Sequence, residues 1–218
     1  MRHQYRFMSG LPRSGSTVLS AVLYQNPTIH TEALSSLGYL MVQAAHALEI
    51  QQTFAAGRED HAVWLVSQLP DLYYSKIERP VIVDRNRAWV GGPMHDILMK
   101  YFETPKILVT TRDYEEVEQS FVKLCAKNNV DFYESPYYVG YVEARKAVEY
   151  IKESPHTERF LFVDYEQLVK NPQKCLGQIY DFWELPKFDH NLNHIEKPWI
   201  EKDEVYGLIG MHDIKPSL

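Results

Sequence analysis

The sequence is poor in cysteine, with only Cys125 and Cys175 among 218 residues. Both fall in segments of helical pattern and their separation fits no metal-ligand spacing, so buried free thiols are expected. No stretch of about eighteen apolar residues occurs, which excludes a membrane-spanning helix. The sequence MRHQYRFMSG enters the first apolar strand almost at once and leaves no room for a signal peptide, so a cytoplasmic or otherwise soluble protein is expected. Runs of lysine and arginine are also missing and the formal net charge is −6, which excludes a nucleic-acid partner held by bulk charge. Any anion site must therefore be local. Internal repeats, low-complexity segments and interdomain linkers are absent, so residues 1–218 read as one domain.

What is present is a globular composition, with 45% hydrophobic and 13% aromatic residues and fifteen tyrosines. Short apolar runs at Tyr5 to Met8, Pro80 to Asp84, Lys106 to Thr111 and Arg159 to Asp164 read as buried parallel strands. Helical stretches alternate with them: a stripe of Val18, Leu19, Val22 and Leu23; the series Leu37, Leu40, Met41, Ala44, Ala45, Leu48; and a segment from about Asp60 to Tyr74. Asp113, three residues before Glu116, starts another helix, and Asn171-Pro172 a last one. The alternation predicts an α/β, P-loop-like three-layer fold, with a central parallel sheet of four such strands and helices on both faces. Its ligand belongs at the strand C-termini. Residues about 36–79 form a helical insert in this reading, and about 191–218 a polar lid or wrapped tail.

The most informative segment is Phe7 to Thr17, FMSGLPRSGST, where a strand runs into a Gly-framed loop that opens a helix. Unpaired amides and the positive end of the helix dipole make such a place a receptacle for phosphate, with Ser14, Ser16 and Thr17 as added hydroxyl donors. Gly10 and Gly15 have the nucleotide-loop spacing, yet Ser16 stands where that motif requires lysine. The cation is instead Arg13, whose planar guanidinium can fork across two oxygens of a phosphate or sulfate.

Pro12-Arg13-Ser14-Gly15-Ser16-Thr17 resembles the 5′-phosphosulfate loop of sulfotransferases that use 3′-phosphoadenosine 5′-phosphosulfate (PAPS), in the arginine version of the tyrosylprotein and carbohydrate enzymes. The resemblance implies PAPS as donor, adenosine 3′,5′-bisphosphate (PAP) as product, and no metal. It further implies that Arg112 and Ser120, eight residues apart, hold the 3′-phosphate. Tyr165, in Asp164-Tyr165-Glu166-Gln167-Leu168, is implied near the nucleotide, and Lys215, in the glycine-bearing C-terminal stretch, as a closing cation. Arg85 aligns with a lysine of the tyrosylprotein enzymes that meets charge on the bridging oxygen, although Arg87 offers a second register. Glu32 is the first candidate for the base that deprotonates the acceptor, with His30 and His95 as alternatives.

The expected reaction is in-line transfer of a sulfuryl group to a hydroxyl, or an amine, of a small molecule, carbohydrate or tyrosyl acceptor. Two rivals stand beside it. Val81 to Asp84 also reads as a strand whose aspartate holds magnesium in a phosphotransferase or nucleotide hydrolase, with the missing loop lysine as the objection. A noncatalytic nucleotide-binding module is the other. Under the sulfotransferase reading Asp84 is structural, pairing with Arg85 or Arg87.

Overall fold

The computed structural model describes residues 2–218. Its centre is a five-stranded sheet in which every pairing is parallel: β1 (Gln4–Gly10), β2 (Ile29–Thr31), β3 (Val81–Arg85), β4 (Ile107–Thr111) and β5 (Phe160–Asp164), in the order β2-β3-β1-β4-β5. The sequence predicts four of these strands and misses β2. Three residues are too few to show a period, and His30 and Thr31 break its apolar run, although all three side chains are buried.

Because β3 lies on one side of β1 and β4 on the other, the chain reverses its direction of winding at the C-terminal end of β1. That crevice is where an open parallel sheet receives a ligand. The loop Leu11 to Gly15 leaves β1 there and feeds α1 (Ser16–Tyr24).

Side chains alternate across the strands, and two cores form on opposite faces. One takes Tyr5 and Phe7 of β1 with Trp89, Phe102 and Phe121. It is covered by α2 (Leu37–Leu48), α4 (Glu59–Tyr73), α5 (Gly92–Tyr101), α6 (Tyr114–Lys127) and α7 (Pro136–Lys152), with the short α3 (Gln51–Ala55) beside α4. The other takes Met8 with Leu19, Val22, Leu176 and Trp183, from α1 and α9 (Pro172–Trp183), and Leu168 of α8 (Tyr165–Lys170). Phe7 touches Trp89 and Phe102 edge-on, at centroid distances of 5.2 and 4.8 Å. Pairs of this kind add roughly 0.5–1.5 kcal/mol to the burial itself.

The helix starts follow the sequence. Asp113 accepts from the amide of Glu116 at 3.1 Å, and Asn171 precedes α9 with Pro172 at its first position. Cys125 and Cys175 are both free and buried. No described helix is long and apolar enough to cross a membrane.

The segment from 191 to the end wraps back over the molecule. Asn191 exchanges hydrogen bonds with Gln25, the amide of Ile195 donates to the Pro216 carbonyl at 2.8 Å, and Leu208 and Met211 enter the first core. This places the tail along one wall of the crevice.

Candidate active site

Asp84 lies beneath the crevice, fully buried at the end of β3. Its carboxylate accepts from Ser35 Oγ at 2.5 Å, Tyr74 hydroxyl at 2.7 Å and Trp89 Nε1 at 2.7 Å. Three bonds to a charged acceptor, roughly 1.5–3 kcal/mol each, offset the several kcal/mol lost on burying it. Burial still leaves its pKa above the ordinary carboxylate range. The expected pairing with Arg85 or Arg87 is thus replaced by three neutral donors, and Asp84 is buried below the residues that line the cleft.

The loop above it is tied to β4. Gly10 takes φ 122°, and a Cβ there would stand 2.2 Å from the Thr110 carbonyl oxygen. Ser14 is buried, donates to the Leu11 carbonyl, and has its Oγ 2.7 Å from Thr110 Oγ1. Its hydroxyl braces the loop, while Pro12, Arg13, Gly15, Ser16 and Thr17 line the cleft. Arg13 itself has φ 57°, a left-handed conformation that costs a residue with a Cβ on the order of 1 kcal/mol.

That backbone sends the Arg13 side chain toward α6. Its Nε donates to Ser120 Oγ at 3.1 Å and its Nη1 to the Met211 carbonyl of the tail. Arg112 donates from Nη1 to the Arg13 carbonyl at 3.2 Å and from Nε to Glu116 at 2.8 Å. Beneath Arg112, at 4.6 Å, lies the ring of Tyr165, and that ring also presses on Gly15, where a Cβ would come within 2.5 Å of it. Arg13, Arg112, Ser120 and Tyr165, separated by up to 152 residues in the chain, therefore form one cluster. Burial, then the neighbouring Arg112, pushes the Arg13 pKa down. The cluster is a cation held at a cost that a bound anion would relieve.

The cleft has a volume of about 780 Å³, within the range that takes a nucleotide-sized ligand. Arg85, Arg87, Tyr165 and Lys215 lie on its wall with the loop. Arg85 carries a buried Nη1 without a partner among the described residues, and burial, then the adjacent Arg87, lowers its pKa to about 9. It remains a cation at neutral pH. A buried, unpartnered donor on a cleft wall has the chemistry of an anion ligand.

Two of the three base candidates, Glu32 and His30, are paired, and the third, His95, lies apart. Glu32 lines a smaller cavity of about 280 Å³ with Trp199, Ile200 and Val205, which shares Ala33, Leu34 and Tyr206 with the main cleft. Its Oε1 lies 3.0 Å from His30 Nε2, and His30 is buried. His95 bonds through Nδ1 to the Trp89 carbonyl and stacks against Phe160, away from both cavities. A pair that sequence reasoning missed puts its imidazole on the cleft wall instead: His212, with Nδ1 2.5 Å from Asp203 Oδ1 behind it. Its only signal in the sequence was its place in the glycine-bearing stretch that also holds Lys215.

With fold and site in place, the likeness to known proteins is specific. The profile described as "Sulfotransferase family" matches residues 7–190, and the chain belongs to that family of transferases. Among solved structures it is similar to the sulfotransferase domain from the curacin biosynthetic pathway, with TM-score 0.61 and 22% identity over 88% of this chain and 77% of that one. The sulfotransferase domain of the Synechococcus PCC 7002 olefin synthase gives TM-score 0.60 and 21% identity over 86% and 75%. A sulfotransferase from Alicyclobacillus acidocaldarius gives 0.61 and 12% over 91% and 87%. No curated protein sequence matches significantly.

Proposed function

We propose that this sulfotransferase takes its sulfuryl group from PAPS and passes it in line to a hydroxyl-bearing acceptor, releasing PAP. The observation that carries the reading is the single cationic cluster of Arg13, Arg112, Ser120 and Tyr165 at the N-terminus of α1. The amides from Pro12 to Thr17 and the helix dipole hold the 5′-phosphosulfate, with Ser14 bracing the loop from below. Arg112 and Ser120 hold the 3′-phosphate, Tyr165 packs beside the nucleotide, and Lys215 closes over it from the tail.

Negative charge builds on the departing phosphate oxygen during transfer, and Arg13 and Arg85 are the fixed cations that meet it. Sulfuryl transfer spreads less charge than phosphoryl transfer, so a loop without lysine suits it. The magnesium-dependent rival loses its metal ligand, because Asp84 is buried below the cleft lining and bonded to Ser35, Tyr74 and Trp89. The smaller cavity beside Glu32, with its apolar wall of Trp199, Ile200 and Val205, is the approach for a small-molecule, carbohydrate or tyrosyl acceptor.

PAP, added with a chelator, is expected to raise the melting temperature of the parent protein, and Arg112→Ala to weaken PAP binding by about 10- to 100-fold, the loss of one charge-assisted contact. Stabilisation only by ATP with magnesium would refute the reading.

A further inference from the structure

His212 and Asp203 have no role in the reading above, and their geometry is that of an oriented base. Asp203 accepts twice from the same residue, at Oδ1 from the His212 ring (2.5 Å) and at Oδ2 from the His212 amide (3.1 Å). The carboxylate thereby fixes the ring's direction and keeps the proton on Nδ1. Nε2, the other ring nitrogen, has no hydrogen-bond partner among the described residues, and the ring forms part of the cleft wall. Its neighbours are the two cations assigned above to the departing oxygen. The preceding carbonyl, of Met211, receives Arg13 Nη1, and Arg85 is close enough to act on the ring electrostatically.

Among the described residues on that wall, only His212 and Asp213 bear an imidazole or a carboxylate side chain. Asp213 folds its carboxylate back to within 3.0 Å of the Cβ position of Gly210. Glu32 lines the smaller cavity through which the acceptor approaches, with its Oε1 3.0 Å from His30 Nε2, and it is the rival base that Glu32→Gln tests.

We propose that His212 is the general base of sulfuryl transfer and Asp203 its positioning residue. The proposal rests on the PAPS-dependent reading above. As the acceptor oxygen bonds to sulfur, its proton passes to the lone pair of Nε2. The bond from sulfur to the bridging phosphate oxygen breaks, and its electron pair leaves on the 5′-phosphate of PAP. The imidazolium then returns the proton to water.

Burial lowers the His212 pKa and Asp203 opposes that shift, so the ring is neutral and able to accept at pH 7. The charged groups around it are Asp203, Glu201 and Lys197 of the tail, with Lys197 Nζ on the His212 carbonyl, and Arg85 from β3. Tyr206 is the facing aromatic ring, at 6.2 Å.

The test uses the full chain. Nitrogen-15 NMR of the imidazoles, with His212→Gln to assign the signal, is expected to show the proton on Nδ1; a proton on Nε2 at pH 7 overturns the proposal whatever the activity. PAPS turnover is then measured with water, benzyl alcohol and 4-nitrophenol as acceptors. His212→Gln is expected to lower kcat for benzyl alcohol by about 10²–10⁴-fold. It should lower kcat far less for 4-nitrophenol, which ionises unaided, and leave PAP affinity within about threefold. The kcat profile should rise with pH through the His212 midpoint, and Asp203→Asn should move that midpoint to lower pH, which loss of a structural contact alone would not do. PAP binding with undiminished turnover in His212→Gln, or turnover lost only in Glu32→Gln, overturns the base role alone. Failure of PAP to bind the parent protein overturns the PAPS reading and the base role with it.

Discussion

Two glycines in the loop do different work, and single substitutions separate them. Gly10 holds φ 122° with the Thr110 carbonyl oxygen 2.2 Å from where a Cβ would sit, and backbone at that distance has nowhere to go. Gly10→Ala is expected to destabilise the fold by about 3 kcal/mol or more, through strain and the clash together, seen as a fall in urea midpoint with or without PAP. Gly15, at φ 83°, also holds a left-handed backbone that costs a residue with a Cβ about 1 kcal/mol, but its Cβ would meet only the Tyr165 ring, whose side chain can turn away. Gly15→Ala is therefore expected to fold and to lower PAP affinity by roughly tenfold, because a displaced ring no longer lies under Arg112. Equal losses of stability in the two variants would contradict this division. The sequence shows that both glycines frame the loop. It does not show which of them answers to a strand and which to a ring 150 residues further on, since that depends on the packing of β4 and β5 beside β1.

At the scale of elements, the four strands of five or more residues, rich in apolar or β-branched side chains, and the capped helices are legible, because each is long enough to carry a pattern and its own stop signal. β2 is not, and neither is the course of the tail. The tail's sequence is polar and aperiodic, and its position comes from single contacts with distant elements. Asn128, at the C-cap of α6, is the clearest of these: its Oδ1 accepts the Ile209 amide at 2.9 Å and its Nδ2 donates to the Ile209 and Leu124 carbonyls. The side chain thus mimics a strand partner for one residue. This explains why Arg13, Arg112 and Lys215 could be read from local motifs whereas the His212–Asp203 pair could not. Asn128→Ala is expected to cost about 1–2 kcal/mol in global stability and to speed amide exchange across residues 207–213, with α1 unaffected. Unchanged exchange in that stretch would show that Leu208 and Met211 hold the tail unaided.

For the molecule as a whole, pH acts through buried imidazoles as well as through its charge of −6. His190 is buried, with Nε2 2.9 Å from the Tyr180 hydroxyl, which in turn accepts from Asn26 at 3.0 Å; the three join the start of the tail to α9 and to the end of α1. Burial pushes the His190 pKa below its ordinary 6.5. The sign follows from which state takes the proton. Above about pH 6.5 both folded and unfolded chains hold the ring neutral and it contributes no pH dependence. As pH falls below that value the unfolded chain binds a proton that the folded chain refuses, so stability is lost on the acid side, by at most about 1.4 kcal/mol per pH unit for one group. Protonation of surface carboxylates acts at the same time, but it acts equally on a variant that lacks only this ring. Urea unfolding of the parent and of His190→Gln between pH 5 and 8 is therefore expected to give a stability difference that is flat above about 6.5 and shifts in favour of the variant as the pH falls. A difference that stays constant across the whole range would mean that His190 is protonated as readily in the folded protein as in the unfolded chain.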